Sequence, residues 1–359
     1  MNKNTIREVT LYTNFNCNLQ CKMCYMNGVS QQSKRYSFEK KDQVMSFELF
    51  KKAVDSFLYE NPHCTFWFMG GEPLLHKDIV NMVTYIKEHG DSYIDINTNG
   101  TLLKEKGQLL LDAGVDSLTV SLDGHKADIC DNVRGKGVYD LVVPEVKKLV
   151  EYKKQKNLDM IINLNFTLVD SNYLTASKMI DLCNELGVDN FYIDLPAFIT
   201  YEDGMESQRI YKKMFDIEIH SWKGQLMNEV YDSIDKNKLI EQFEIIYRAH
   251  KNFGFDMVPH GCTTKEISTY FGKEWDNKIR NCVCTKTNYR TTLLPDGGIS
   301  PCTLYHDLIF GNLNESSFHD IWNGEKYQLF RDQLASRLFP ACKRCCDLLD
   351  EHDELAFGN

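Results

Sequence analysis

The chain has 359 residues, 43% hydrophobic and 26% charged, the ordinary range for a globular protein and enough for one large domain with a smaller one beside it. Its formal net charge of −10 excludes a broad phosphate-binding surface, while leaving room for a local basic pocket. Met1 to Arg7 are polar, and no run of about twenty apolar residues occurs, so neither a secretory signal nor a membrane span is expected. Thirteen cysteines in such a chain suit a reducing cytoplasm with metal-bound thiolates better than a disulfide framework.

In chain order, roughly the first two hundred residues alternate strands with amphipathic helices. The expected strands are Val9–Thr13, Thr65–Met69, Tyr93–Asn97, Ser117–Leu122, Ile161–Thr167 and Phe191–Leu195, each short and rich in β-branched or aromatic residues. Between them, Phe47–Tyr59, Ile79–His89, Leu102–Ala113, Val142–Gln155 and Leu174–Leu186 carry apolar residues three and four apart, as helices with one buried face do. Six β-α repeats predict a parallel sheet with right-handed crossovers. Polar punctuation follows the strands: Cys17 after the first, Gly70 after the second, Asn97 to Gly100 after the third, Ser121 to Gly124 after the fourth, with Asn165 in the fifth. In a parallel barrel these positions share the rim where reactive residues gather.

From 205 to 253 the pattern turns helical. Residues such as Ile210, Met214, Trp222, Ile234, Leu239 and Phe243 predict two helices that bridge to a second domain and bury these side chains in its core. The last third holds Cys282, Cys284, Cys302, Cys342, Cys345 and Cys346. Leu293 to Cys302 reads as a β-hairpin with a glycine-containing turn, and Phe318 to Ser336 as a helix leading into Cys342-Lys-Arg-Cys345.

Two cysteine groups carry the chemistry. Cys17, Cys21 and Cys24 lie within eight residues; three thiolates can grip three irons of a [4Fe–4S] cube and leave the fourth open. Clusters used for electron transfer alone normally take four cysteines, so this set points to chemistry at the open iron. Zinc wants four ligands, and no nearby histidine or cysteine completes such a site. Cys284, Cys302, Cys342 and Cys345 can close around a second cube, whose full ligation would suit it to electron transfer. Cys282 can stand in for Cys284 and Cys346 for Cys345, and two cysteine pairs also suit structural zinc.

Cys17-x3-Cys21-x2-Cys24 followed by Tyr25, with its lead-in Val9 to Asn14, resembles the signature of radical S-adenosylmethionine (SAM) enzymes, and Gly70-Gly71-Glu72-Pro73 resembles that family's SAM-binding glycine segment. The later pattern, Cys284-x17-Cys302 with Cys342-x2-Cys345, is similar to the family's twitch domain, the short form of its SPASM extension. No cysteine follows Cys346, so a single auxiliary [4Fe–4S] cluster is expected. The resemblance implies an α/β fold: a partial (β/α)6 TIM-type barrel at 1–203, a helical bridge at 204–280 and a hairpin-plus-helix auxiliary cluster domain at 281–359. It implies that SAM chelates the open iron and is cleaved reductively to a 5′-deoxyadenosyl radical that takes hydrogen from the substrate. By the same resemblance Tyr25 packs near the adenine. Gly70, Gly71, Glu72 and Pro73 accept the methionyl ammonium through backbone carbonyls and the Glu72 side chain. Ser121 contacts the ribose or carboxylate, Arg134 pairs with the carboxylate, and Asn165 meets the ribose hydroxyls. A surface salt bridge is the other reading of Arg134.

On the substrate side, Asp194 at the end of the sixth strand is a candidate general base, with a helix-capping or structural role as its alternative. Cys262 is a candidate hydrogen donor or a buried spectator thiol. The expected enzyme is a radical SAM oxidoreductase or maturase that oxidises an unactivated C–H bond, by dehydrogenation or crosslinking, while the auxiliary cluster accepts an electron. Its substrate is a small polar metabolite or a peptide. The motif begins sixteen residues in, which leaves no room for a preceding leader-peptide domain and favours a small molecule or a substrate delivered by a partner. A flavodoxin- or ferredoxin-type reductant is expected, with no nucleic-acid or membrane partner. Two other readings stay open: a redox-neutral epimerase with a thiol hydrogen donor, and a non-catalytic iron–sulfur carrier or zinc-stabilised interaction protein.

Overall fold

The computed structural model describes residues 4–26, 42–226, 231, 233–249, 252–259, 264–272, 275 and 282–345. Six strands run parallel in sequence order: β1 (Glu8–Tyr12), β2 (Thr65–Met69), β3 (Ile94–Thr98), β4 (Ser117–Ser121), β5 (Ile161–Thr167) and β6 (Asn190–Asp194). Their bounds fall within one residue of those expected. The connections are α1 (Phe47–Glu60), α2 (Ile79–His89), α3 (Leu103–Asp112), α4 (Ala127–Arg134) with α5 (Val138–Lys156), and α6 (Met179–Leu186). This is the partial (β/α)6 barrel.

Side chains of a strand alternate between faces, and here the two faces differ in polarity. Val9, Leu11, Phe66, Phe68, Ile94 and Ile96 are fully buried in the main core. The opposite face carries Thr10, Asp95, Asn97, Thr119, Ser121 and Asn163, and hydrogen bonds run between strands along it. A strand half apolar and half amide, hydroxyl or carboxylate has one face built for a core and one for a polar lumen.

The sheet continues beyond the six strands at both ends, in the order β10-β9-β8-β1-β2-β3-β4-β5-β6-β7. β7 (Gly254–Val258) adds to β6 in parallel. The region 204–280 is therefore not a purely helical bridge. It holds α7 (Tyr201–Phe215), α8 (Lys236–Ala249) and α9 (Thr264–Tyr270), but also this strand. β7 eluded the periodicity because its face toward the lumen is Gly254, Asp256 and Val258, which leaves little apolar alternation. Trp222, Ile234, Leu239 and Phe243 are buried as expected, while Ile210 and Met214 pack partly buried against the core.

At the other edge, β8 (Arg290–Leu293) pairs in parallel with β1, and β9 (Gly298–Ser300) returns antiparallel to β8, with β10 (Gly311–Asn312) beyond. The expected hairpin is thus present. Its turn uses Gly297 at φ +87°, a conformation that glycine enters without the usual steric cost. The expected helix from Phe318 to Ser336 is split at Asn323-Gly324 into α10 (Phe318–Trp322) and α11 (Glu325–Ser336). The hairpin docks on β1, the strand that leads into Cys17. No described helix is long and apolar enough to cross a membrane.

Candidate functional site

The segment from Thr13 to Cys24 leaves the end of β1 and crosses the end of β2. Gly71 allows that crossing: a Cβ there would lie 2.0 Å from the Asn16 carbonyl oxygen. The Gly71 and Glu72 N–H groups donate to the Asn14 and Asn16 carbonyls at 3.2 and 2.7 Å. Further on, the Lys22 N–H donates to the Val133 carbonyl at 2.9 Å and seats the loop on the end of α4, with the Cys21 sulfur 4.0 Å from the Arg134 carbonyl oxygen. The Cys17 sulfur accepts from the Leu19 N–H at 3.4 Å and the Asn99 amide at 3.8 Å. Cys17, Cys21 and Cys24 lie near enough to interact electrostatically. Burial pushes the Cys21 thiol up to about 12, against the pull of the Arg134 charge. Such a thiol gives up its proton when a metal takes the proton's place.

Glu72 is bonded within the protein. Its carboxylate is enclosed, 1% exposed, and accepts from the Thr98 hydroxyl at 2.6 Å, the Asn99 N–H at 2.7 Å and the Leu74 N–H at 3.0 Å. Its own carbonyl accepts from the Asn14 amide at 3.2 Å. The side chain ties the ends of β2 and β3 together. Among the described residues no donor reaches the Gly70 or Gly71 carbonyl. Pro73 opens the 3-10 turn Pro73–Leu75 behind them.

Arg134 is not a surface residue. It is buried, with Nε 2.7 Å from Asp123 Oδ2, a tight ion contact although the N–H is not aimed along it. Burial works most strongly against the Arg134 charge, but the Asp123 carboxylate together with Cys21 and Cys130 raises the guanidinium pKa overall, so the cation persists beside Cys21. Ser121 and Asn165 are paired across β4 and β5. The Ser121 hydroxyl donates to Asn97 at 3.3 Å, and the Asn165 amide donates to Asp194 at 2.6 Å, while the Asn165 Oδ1 is buried with no donor among the described residues. Asn165 and Asp194 therefore form one unit at the end of the lumen. The Tyr25 hydroxyl lies 3.1 Å from that of Tyr12. Cys262 and Cys346 lie outside the described residues.

Deeper in the lumen, Asp95 accepts from the Thr119 hydroxyl at 3.1 Å, and the Asn163 amide bridges Ser117 and Thr119 at 3.0 and 3.1 Å. Burial lifts Asp95 to about 6 even though Ser117 and Thr119 hydrogen-bond it. Among the described residues of β1 to β8 on this face, Arg290 is the one cation, and its Nε is 2.6 Å from Glu8.

The second cysteine group shares one cavity. Cys284, Cys302, Cys342 and Cys345 line it; Cys282 packs against the core outside it. Burial pushes the Cys342 thiol well above its ordinary value. Three hydroxyls from the same lining, those of Tyr211, Thr287 and Thr292, are buried without a hydrogen-bond partner among the described residues. Four thiols and orphaned O–H donors around one cavity suit a guest rich in sulfur acceptors. Among the described residues no three His, Cys, Asp or Glu side chains are gathered tightly enough for a single metal ion. The donor sets thus fit the clusters expected from the sequence better than zinc.

Sequence reasoning did not single out Tyr12 or Asp123 for the first site. Asn99 and Asp123 belong to the polar punctuation after the third and fourth strands, Asn97 to Gly100 and Ser121 to Gly124, so a signal was available for both. Tyr12 looks like any strand aromatic.

A family model for the Radical SAM superfamily matches residues 11–170, and one for an iron–sulfur cluster-binding domain (SPASM) matches 282–346. A tungsten-containing aldehyde ferredoxin oxidoreductase cofactor-modifying protein of Pyrococcus furiosus is 25% identical over 96% of this chain and 89% of its own. A probable GTP 3′,8-cyclase of Saccharolobus solfataricus is 28% identical over 90% of this chain and 89% of its own. The crystal structure of Streptococcus suis SuiB bound to SAM superposes with a TM-score of 0.65 at 16% identity, covering 95% of this chain and 72% of that one, a likeness of fold.

Proposed function

The chain belongs to the radical SAM superfamily and carries a C-terminal iron–sulfur cluster-binding domain, and from that premise we propose that it oxidises an unactivated C–H bond of a small polar metabolite or peptide, with the auxiliary cluster taking up an electron. It is an enzyme that uses SAM and two [4Fe–4S] clusters. One observation carries the oxidative reading: four cysteines line a single cavity. Four thiolates leave a cube no open position for substrate, which suits it to electron transfer.

Cys17, Cys21 and Cys24 would hold the first cluster, and Cys284, Cys302, Cys342 and Cys345 the second. When bound, SAM and its cluster supply a radical able to take hydrogen from an unactivated carbon. The protein's part is to bind and orient. The Gly70 and Gly71 carbonyls, which no donor reaches among the described residues, would accept the methionyl ammonium, and the Arg134 guanidinium, already paired with Asp123, would meet the SAM carboxylate beside Cys21. Tyr25 offers its ring to the adenine, and Ser121 with Asn165 their polar groups to the ribose. Asp194, held by the Asn165 amide, can take a proton at its carboxylate.

The lumen supports the substrate class. Its amides, hydroxyls and carboxylates suit hydroxyl- or amine-bearing groups, whereas a triphosphate, such as the GTP in one relative's name, would meet Asp95, Asp194 and Asp256 with, among the described strand residues of this face, one already paired arginine. A cytoplasmic setting and a flavodoxin- or ferredoxin-type reductant accord with metal-bound thiolates and reductive cleavage of SAM. The test is anaerobic incubation of reconstituted enzyme with SAM and dithionite. Formation of 5′-deoxyadenosine is expected from wild type and from Cys342→Ala, and not from Cys21→Ala. Absence of 5′-deoxyadenosine from fully clustered wild type would overturn the reading.

A further inference from the structure

Three hydroxyls around the auxiliary cavity have no protein acceptor. Tyr211 comes from α7, Thr287 from the 3-10 turn Lys286–Asn288 and Thr292 from β8, and all three line the cavity with the four cysteines. Each oxygen is shielded from water, and none is hydrogen-bonded among the described residues. A buried hydroxyl left this way costs free energy, and native structures rarely tolerate one without a purpose.

Tyr211 shows the point most sharply. Its ring is packed among Phe339, Phe215 and Phe330, with centroids 4.5, 6.4 and 6.4 Å away. Phenylalanine would fill the same space without the polar cost. Tyr305 lines the same cavity 6.1 Å from Tyr211 but donates its hydroxyl to the Ala341 carbonyl at 3.0 Å. The Tyr211 hydroxyl stands within electrostatic reach of Cys342, Cys302 and Cys284.

We propose that Tyr211 and Thr292, with Thr287, donate hydrogen bonds to the sulfurs of the auxiliary cluster and so raise its reduction potential. This rests on the reading of the cavity as a cluster site. Reduction adds negative charge that spreads onto the sulfurs, and an O–H donor stabilises the reduced form more than the oxidised one. The donors would make the cluster a better electron acceptor during turnover.

The experiment is a redox titration of the reconstituted full-length enzyme, followed by electron paramagnetic resonance, with the SAM-site cluster as internal reference. Wild type is compared with Tyr211→Phe, Thr292→Val and Tyr305→Phe, each with its iron content measured. Tyr211→Phe is expected to shift the auxiliary reduction equilibrium about tenfold toward the oxidised form, 59 mV for one electron. Thr292→Val should shift it the same way by less, and Tyr305→Phe should leave it in place. An unmoved midpoint in both Tyr211→Phe and Thr292→Val, at full iron content, overturns the proposal. If Tyr211→Phe does not take up the cluster, Thr292→Val decides. Wild type with only about four irons would overturn the cluster reading itself, and the proposal with it, a result distinct from an unmoved midpoint.

Discussion

The hydroxyls of Tyr12 and Tyr25 lie 3.1 Å apart, and Tyr12 also donates to the Thr303 carbonyl at 3.1 Å. Tyr25 follows Cys24 and Thr303 follows Cys302, so one buried tyrosine joins the loops of the two cysteine groups. Tyr12→Phe removes both bonds and leaves the Thr303 carbonyl without this donor. The expected cost is about 1–3 kcal/mol, read as a lower urea midpoint at unchanged slope. An unchanged midpoint would mean that the link is incidental.

Glu72 is expected to act on the fold before any ligand arrives. Its two oxygens face three donors, so the amide of Glu72→Gln must turn its NH2 toward at least one of them. Stability should fall by about 1–3 kcal/mol in the absence of SAM. A Glu72 that served only to bind the methionyl ammonium would show no such loss without the ligand.

Gly71→Ala should damage one cluster and spare the other. The new methyl would meet backbone, the Asn16 carbonyl, which has no rotamer to give. The displaced segment leads directly to Cys17. Iron per chain is expected to drop by about half, with the auxiliary signal retained. Full iron in Gly71→Ala would show that the crossing has slack.

Asp95 gives a pH signature. Burial raises its folded value to about 6 from 3.8. A carboxylate raised in this sense favours the folded state at low pH, and that advantage is lost as pH rises through the folded value. Above about pH 6 the buried charge therefore costs stability, which Asp95→Asn relieves by up to about 3 kcal/mol. Anaerobic calorimetry should show the variant more stable than wild type at pH 8 and equal to it near pH 4. Equal stability at both would mean that the carboxylate is solvated or paired in solution.

Legibility followed the range of the interactions. The six strands were readable because each needs only its own residues, and so was the hairpin turn at Gly297. The three-cysteine motif is local too. The set of four follows the resembled spacing, with Cys282 as a stand-in for Cys284, and the packing, which puts Cys284 in the cavity and Cys282 outside it, could not be read from so short a separation. Arg134 was placed at the site, but its pairing with Asp123 was not, because a turn of polar residues does not reveal which one is buried. Tyr211, Thr287 and Thr292 were invisible as a group: an α-helix, a 3-10 turn and a strand contribute one hydroxyl each, and nothing in their neighbourhoods marks them.

The most direct test of two separate cluster sites is iron and sulfide content with Mössbauer spectroscopy, done anaerobically on wild type and on a Cys17/Cys21/Cys24→Ala variant. The account predicts about eight irons in wild type and about four in the variant, the remainder a fully ligated cube. About four irons in wild type and almost none in the variant would contradict it, and would leave the proposed oxidation without its electron acceptor.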